Sequence, residues 1–316
     1  MDRVPVEFMR DVINRCKSLN SFEDLSGYWP ILASRTRKKQ RDLLVFTRSR
    51  GSPDISFGFE NEDVWHRLKT NRAVESAVSH IVFSAGGSSL VEQNERVDAE
   101  STPILQTYLA RNDLAVSLAF YNADSSAFED LKPVLLSIPR IEQLSSECVA
   151  LRENADVSLS YELMKHAVQR GTLDYCVIAY RRSELVTIKD FLSSRRITNL
   201  CLQVERESDA DIKELIRTIV EKWMDREDWD RFGMQVPSKY FSVVKKLLSR
   251  RKFKWKERNR GGGGKWIRFR NLLAPTRSLW VASKRIEIQT KEVPVLWDPK
   301  LEIRFSTNVR GLQIRR

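Results

Sequence analysis

The residue types able to do chemistry are few and scattered. The three histidines, His66, His80 and His166, lie far apart, and none has the H-E-x-x-H or other paired spacing by which two imidazoles share a metal. His166, beside Met164, Ala167 and Val168 on a predicted helix, reads as a partly buried structural residue rather than a base. Cys16, Cys148, Cys176 and Cys201 include no C-x-x-C pair and mostly occupy apolar runs, which suits buried thiols in a reducing compartment and not a disulfide framework or a zinc site. Neither a G-x-S-x-G elbow nor a cysteine nucleophile signature occurs. Asp225, Glu227, Asp228 and Asp230, flanked by Trp223 and Trp229, read as the polar end of a long helix rather than a cation site. Gly261 to Gly264 followed by Lys265 imitates a phosphate-binding loop, but that chemistry needs Ser or Thr after the lysine to hold magnesium, and Trp266 stands there. Nothing in these patterns points to an enzyme, a cofactor or a metal.

Charge is where the chain is most unusual. Between Lys239 and Arg277 lie fourteen Lys or Arg against Glu257 alone, a local +13 in a chain whose whole net charge is +12, so the rest is nearly neutral. Lys252-Phe253-Lys254-Trp255-Lys256 alternates cation and aromatic with period two, and so does Trp266-Ile267-Arg268-Phe269-Arg270 beyond the glycines. The pattern predicts a β-hairpin with Phe253, Trp255, Ile267 and Phe269 on one face and the cations on the other. Such a face is either merely solvated or meets a polyanion: an acidic protein, an anionic membrane surface, or nucleic acid with a tryptophan stacked on exposed bases. The polyanion candidates are Lys252, Lys254, Lys256, Lys265, Arg268 and Arg270.

The elements that must position these residues follow from length and periodicity. At 316 residues and 41% hydrophobic content the chain can bury a sizeable core. No charged segment followed by an apolar run opens it, and runs such as Val177-Ile178-Ala179-Tyr180 are too short to span a bilayer, so a cytoplasmic or nuclear location is expected. Leu43 to Thr47 and Ile55 to Phe59 read as strands around a turn at Arg50-Gly51-Ser52-Pro53, after a basic connector at Arg35 to Arg41. Ser84 to Ser89 reads as a loop and a candidate boundary. Further on, four apolar runs share an L-x-x-L-x-L-like frame: Ala115/Leu118/Phe120, Ser146/Val149/Leu151, Leu173/Cys176/Ile178 and Ile197/Leu200/Leu202. Helices fall between them, as at Leu185/Ile188/Phe191/Leu192, and the last is followed by a long helix with Ile212, Leu215, Ile216, Ile219 and Trp223 on one face and a capping box at Ser208 and Asp211. Strand-helix alternation of this kind predicts parallel pairing in an irregular, leucine-rich-repeat-like α/β body.

The N-terminus is amphipathic. Pro5 stands at a helix start, and Met9, Val12, Ile13, Cys16 and Leu19 form one apolar stripe. Ser21 and Asp24 predict the capping box of a second helix carrying Phe22, Leu25, Trp29 and Leu32, closed by Leu25-Ser26-Gly27-Tyr28-Trp29. Val4-Pro5-Val6-Glu7-Phe8, followed about two dozen residues later by Leu-Ser-Gly-Tyr-Trp, resembles the F-box, in the divergent form found in large nematode families. Val4 replaces the usual leucine, and the leucine-rich middle helix is missing.

The resemblance implies a non-catalytic, substrate-recruiting subunit of an SCF-type cullin-RING ubiquitin ligase. Its partners would be a Skp-type adaptor, the cullin scaffold and a protein substrate. The docking residues would be Val4, Pro5, Phe8, Met9, Val12, Leu25 and Trp29. The expected organisation is therefore an F-box-like helical module over 1–36, a leucine-rich-repeat-like α/β body over 37–235, and a basic, β-rich region over 236–316. A nucleic-acid-binding protein working through 239–277 is the competing expectation.

Overall fold

Six strands follow one another in chain order across a parallel sheet: β1 (Gln40–Thr47), β3 (Ala77–Ala85), β5 (Val116–Tyr121), β6 (Ile141–Ser145), β7 (Tyr175–Ala179) and β8 (Asn199–Gln203). On the outer side of β1, β2 (Ile55–Phe59) pairs antiparallel, and the two-residue β4 (Glu95–Arg96) pairs antiparallel with β2. In this computed structural model the described residues are 4–15, 19–22, 24–47, 54–59, 62–70, 74–85, 94–121, 125–146, 156–194, 199–203, 208–225, 231–235, 238–249, 253–260, 264–271 and 278–283. All of them belong to one compact unit, Met1–Lys284.

Between the strands run α3 (Glu62–Lys69), α4 (Ser101–Ala110), α5 (Lys132–Leu136), α6 (Ser158–Gln169), α7 (Leu185–Ser193), α8 (Asp209–Asp225) and α9 (Phe241–Ser249). Each packs against the next from α3 to α9, forming one layer. The reason is handedness: a right-handed crossover that always steps to the next strand in the same direction always places its helix on the same side. The sheet therefore has a helix-covered face and a face with none of these helices on it.

Side-chain alternation matches that division. In β5, Val116, Leu118 and Phe120 are buried in the core while Ser117, Ala119 and Tyr121 are half-buried, unlike the continuous apolar runs of a parallel sheet covered on both sides. Phe83 and Phe120 stack with ring centroids 4.4 Å apart, Phe128 meets Phe83 edge-on at 5.0 Å, and Trp65 of α3 meets Phe57 edge-on at 4.7 Å. From α6, Tyr161 reaches the end of β7, where its hydroxyl donates to the Ala179 carbonyl at 2.8 Å and accepts from the Arg181 N–H at 3.3 Å. Burial pushes that phenol well above its ordinary range.

Three of the four apolar runs are strands as expected. The second is displaced: the strand is Ile141–Ser145, because Pro139 has already ended the preceding turn and the chain extends at once, with Gln143 opposite both Ser117 and Tyr175. Val149 and Leu151 lie outside the described residues. The loop expected at Ser84 to Ser89 does not divide the sheet, since β3 and β5 on either side of it are paired neighbours. Arg35 to Arg41 is not a connector, because α2 (Trp29–Lys39) runs straight into β1. The long helix begins as anticipated, with the Asp211 N–H donating to Ser208 Oγ at 3.2 Å and the Ser208 hydroxyl donating to the Asp211 carboxylate at 2.7 Å.

The sequence offered no signal for Asn112. Buried before β5, its amide NH2 donates to the carbonyls of Val78 (2.8 Å) and Leu114 (3.2 Å), and its oxygen accepts from the Val78 N–H (3.1 Å). One side chain thus completes the backbone pairing at the start of β3. Asn112→Ala leaves buried backbone groups unpaired and is expected to destabilise the protein by about 2 kcal/mol, measured by urea denaturation.

Candidate functional site

The N-terminal helices make a small core of their own. Met9 and Ile13 of α1 (Val6–Arg15), Leu19 and Phe22 of a single 3-10 turn (Leu19–Phe22), and Trp29, Leu32 and Ala33 of α2 pack together, separate from the core of the body. Phe22 and Trp29 stack at 5.4 Å with ring planes 10° apart. The second helix starts later than its expected cap at Ser21. Gly27, at φ 75°, turns the chain in a conformation that disfavours other residues, and Pro30 sits in the first turn of α2, so Leu-Ser-Gly-Tyr-Trp opens the helix instead of closing one. The module is tied to the body where α2 continues into β1 and where the Asn14 amide donates to Asp113 at 2.8 Å.

This packing sorts the expected docking residues. Pro5 is exposed and Phe8 is 56% exposed; Val4, Val12 and Leu25 are half-buried along the edge of the small core. Met9 and Trp29 are spent inside it, at 4% and 9% exposure, because the stripe that looked free on one helix is what the other helix packs on. Two residues not anticipated, Tyr28 and Ile31, are the other large exposed apolar side chains of the module. Pro5, just before α1, and Phe8 and Val12 on it fall at i, i+3 and i+7, one strip beside the buried one.

A second surface is the helix-free face of the sheet. The registers set Asp42, His80, Ser117, Gln143, Tyr175 and Asn199 in one row, one residue per parallel strand. His80 Nδ1 lies 2.9 Å from Asp42 Oδ1 and 3.1 Å from Ser79 Oγ, and the Ser117 hydroxyl donates to Gln143 Oε1 at 3.4 Å. The next row along the strands, Leu44, Val82, Ala119 and Ser145, is half-buried, whereas Val177 and, one row further, Phe46 are buried. The polar row at the start of the strands is half-buried at Asp42, Ser117, Gln143 and Tyr175 and exposed at His80.

The third surface is a four-stranded sheet in the order β10 (Phe253–Arg260), β11 (Gly264–Asn271), β12 (Ser278–Ser283), β9 (Arg231–Gln235), with β9 beside β8. The expected hairpin is present, with Trp255 opposite Phe269. It recruits β9 from before residue 236, so the sheet crosses the boundary expected there. Its registers put Phe253, Trp255, Ile267, Phe269, Leu279, Val281, Phe232 and Met234 on one face, and Lys254, Lys256, Arg258, Arg260, Arg268, Arg270 and Arg231 on the other, together with Trp266 and Trp280. Lys256 is exposed. Lys265 does not join the cations: pairing with Asn259 sets it on the apolar side, one residue out of phase with Arg268 and Arg270. Lys252 lies outside the described residues. Lys239, the first cation of the basic segment, instead donates to Asp209 at 2.8 Å at the start of α8, and that ammonium holds the Asp209 carboxyl below its usual range.

The remaining titratable groups are dispersed. His66 is exposed on α3, and His166 of α6 is half-buried, with desolvation first and Arg170 second holding its imidazole below its ordinary value. Cys176 is buried in β7. Among the described residues no three of His, Cys, Asp and Glu gather as a metal site, and no helix is long and apolar enough to cross a membrane. A surface hollow of about 360 Å³ lies among Ile55, Val97, Asp98, Thr102, Pro103 and Asp130. Its Asp98 carboxylate accepts the N–H groups of Ser101 (2.7 Å) and Glu100 (3.0 Å) at the start of α4, which hold it below its ordinary value, so it serves the helix. Neither family models, curated proteins nor solved structures offer a match to this chain.

The two roles found in the N-terminal module are separable. Trp29→Ala is expected to weaken the module by about 3 kcal/mol, read as lost amide-exchange protection across α1 and α2. Phe8→Ala should leave that protection within about 0.5 kcal/mol of the parent.

Proposed function

We propose that the chain is a non-catalytic, substrate-recruiting adaptor of an SCF-type ubiquitin ligase. Its N-terminal helices dock on a Skp-type adaptor, and the body, a leucine-rich-repeat-like arrangement, presents a target. The observation that carries this is the division of the N-terminal module. Its helices bury Met9, Ile13, Trp29 and Leu32 on one another and still expose Phe8, Tyr28 and Ile31. A helix serving only as a cap on the body would bury its apolar residues in the body's core. Here the module keeps a core of its own and holds apolar side chains in water, where a partner groove can take them.

The body supports the same assignment by its shape. Sequential parallel strands with helices on one side leave a broad face on which one row, Asp42 to Tyr175, is polar, with His80 exposed and its neighbours half-buried, and is fixed to the sheet. Residues held this way suit recognition of another protein's backbone and polar side chains. A docking module joined directly to such a face, through α2 and β1, holds a bound target at a set distance from the ligase.

The test is a binding titration of the purified full chain against a Skp-type adaptor, by calorimetry, at low salt and at about 0.5 M, where exposed charges are screened. Salt-resistant binding is expected. Phe8→Ala with Ile31→Ala should weaken it by at least tenfold, since each truncated anchor costs on the order of 1 kcal/mol, while exchange protection of the module is unchanged. No binding by the intact chain at either salt rejects the adaptor role. So does binding that is indifferent to both substitutions.

A further inference from the structure

We propose that the C-terminal sheet binds single-stranded nucleic acid along the face that carries Trp266 and Trp280. This goes beyond the adaptor role and does not depend on it. The sequence alone marked a basic, aromatic segment; the strand registers decide which of its residues act together. Strand residues two apart share a face, and directly paired residues lie on the same face. Applied across β10, β11, β12 and β9, that geometry gathers seven cations on one side and no carboxylate, the one acid of the hairpin, Glu257, falling opposite Ile267 on the other side. Arg231 joins them from a different part of the chain.

The aromatic positions choose among polyanions. Trp280 pairs with Arg268, and Trp266 is two residues from Arg268 on the neighbouring strand, so the tryptophans stand at diagonal cross-strand positions among the cations. Residues so related are about 7–8 Å apart, which allows two consecutive unpaired bases to rest one on each indole while the flanking Lys and Arg meet phosphates. A duplex offers no exposed base faces. Four strands about 4.8 Å apart make a surface roughly 14 Å across before side chains are counted, too broad for a major groove about 12 Å wide. An acidic protein or an anionic bilayer would use the charge but has no bases to stack on the tryptophans.

The test is fluorescence anisotropy of the full chain with a labelled oligothymidine of about twelve nucleotides, a length within the usual site sizes. Its competitors are a duplex of the same length, poly-glutamate, and phosphatidylserine-containing vesicles. Neutralising five to seven phosphates on a single strand predicts a log–log salt slope of about −3.5 to −5, an affinity loss of order 10² to 10³ between about 50 and 200 mM salt. Lys254→Gln with Arg268→Gln should weaken binding by at least tenfold. Trp266→Ala should weaken it while leaving the slope unchanged. Lys265→Gln, assigned to the opposite face, should have less than a twofold effect, and it controls for general loss of charge. Retained thermal unfolding of each variant shows that its fold survives; if Trp266→Ala unfolds, Trp266→Phe, which keeps a stacking ring, should bind within a few-fold of the parent. Absence of binding at about 50 mM salt overturns the proposal. So does tighter capture by duplex, poly-glutamate or vesicles than by the single strand, or a Lys265→Gln effect equal to that of the Lys254 and Arg268 pair.

Discussion

The handed crossover between parallel strands is the constraint on which everything else rests. Each strand from β1 to β8, β2 and β4 aside, hydrogen-bonds in parallel to the previous one, and parallel neighbours cannot be joined by a tight turn. The chain must climb back over the sheet each time, and it does so with one hand. Because the strand order never reverses, the helices accumulate on one side, and on the other side a row at the start of the strands is polar. A single reversal of order would have put helices on both faces, and Asp42, His80, Ser117, Gln143 and Tyr175 would then have had to be apolar. The row exists because the topology leaves it uncovered.

Packing carries the same asymmetry outward. The apolar positions that face the helices are continuous from Phe57 and Trp65 at one edge to Ile216, Val244 and Leu248 at the other. The N-terminal module stays outside that continuity, with Phe22 on Trp29 as the centre of a second, smaller core. Small cores are marginal, so the Asn14 to Asp113 hydrogen bond and the unbroken passage from α2 into β1 matter for holding the module in place. At the far end, β9 lies beside β8 and begins a second sheet, in which the alternation of aromatic and cation becomes two faces of opposite character.

Much of this was legible in the chain. An L-x-x-L-x-L-like frame located β5, β7 and β8, period-two alternation located the basic hairpin, the apolar stripe with Ser208 and Asp211 located α8, and Pro5 located the start of α1. The misreadings have physical causes. Ser21 and Asp24 have the composition of a cap, but Gly27 permits a left-handed turn that only local geometry reveals, so the helix starts seven residues later than Ser21 implied. Lys265 belongs to a basic run, yet it stands an odd number of residues before Arg268 and Arg270 on the same strand, so alternation along β11 places it on the other side of the ribbon. Asn112 gave no signal because an amide that completes another strand's hydrogen bonds leaves no periodic trace.

By itself the sequence determined the local states: where apolar residues recur at helical or strand spacing, where α1 and α8 start, where charge concentrates, and that histidines and cysteines are too dispersed along the chain for a familiar catalytic motif. Those properties depend on neighbours a few residues away. Only the tertiary structure decided the order of the strands, the side on which the helices lie, which of the N-terminal apolar residues are consumed in the module's core, and which cations share a face with Trp266 and Trp280. Those properties depend on pairing between segments far apart in the chain, such as β9 with β12. Strand register is set by the backbone hydrogen bonds and packing of both partners together, and no single segment encodes it.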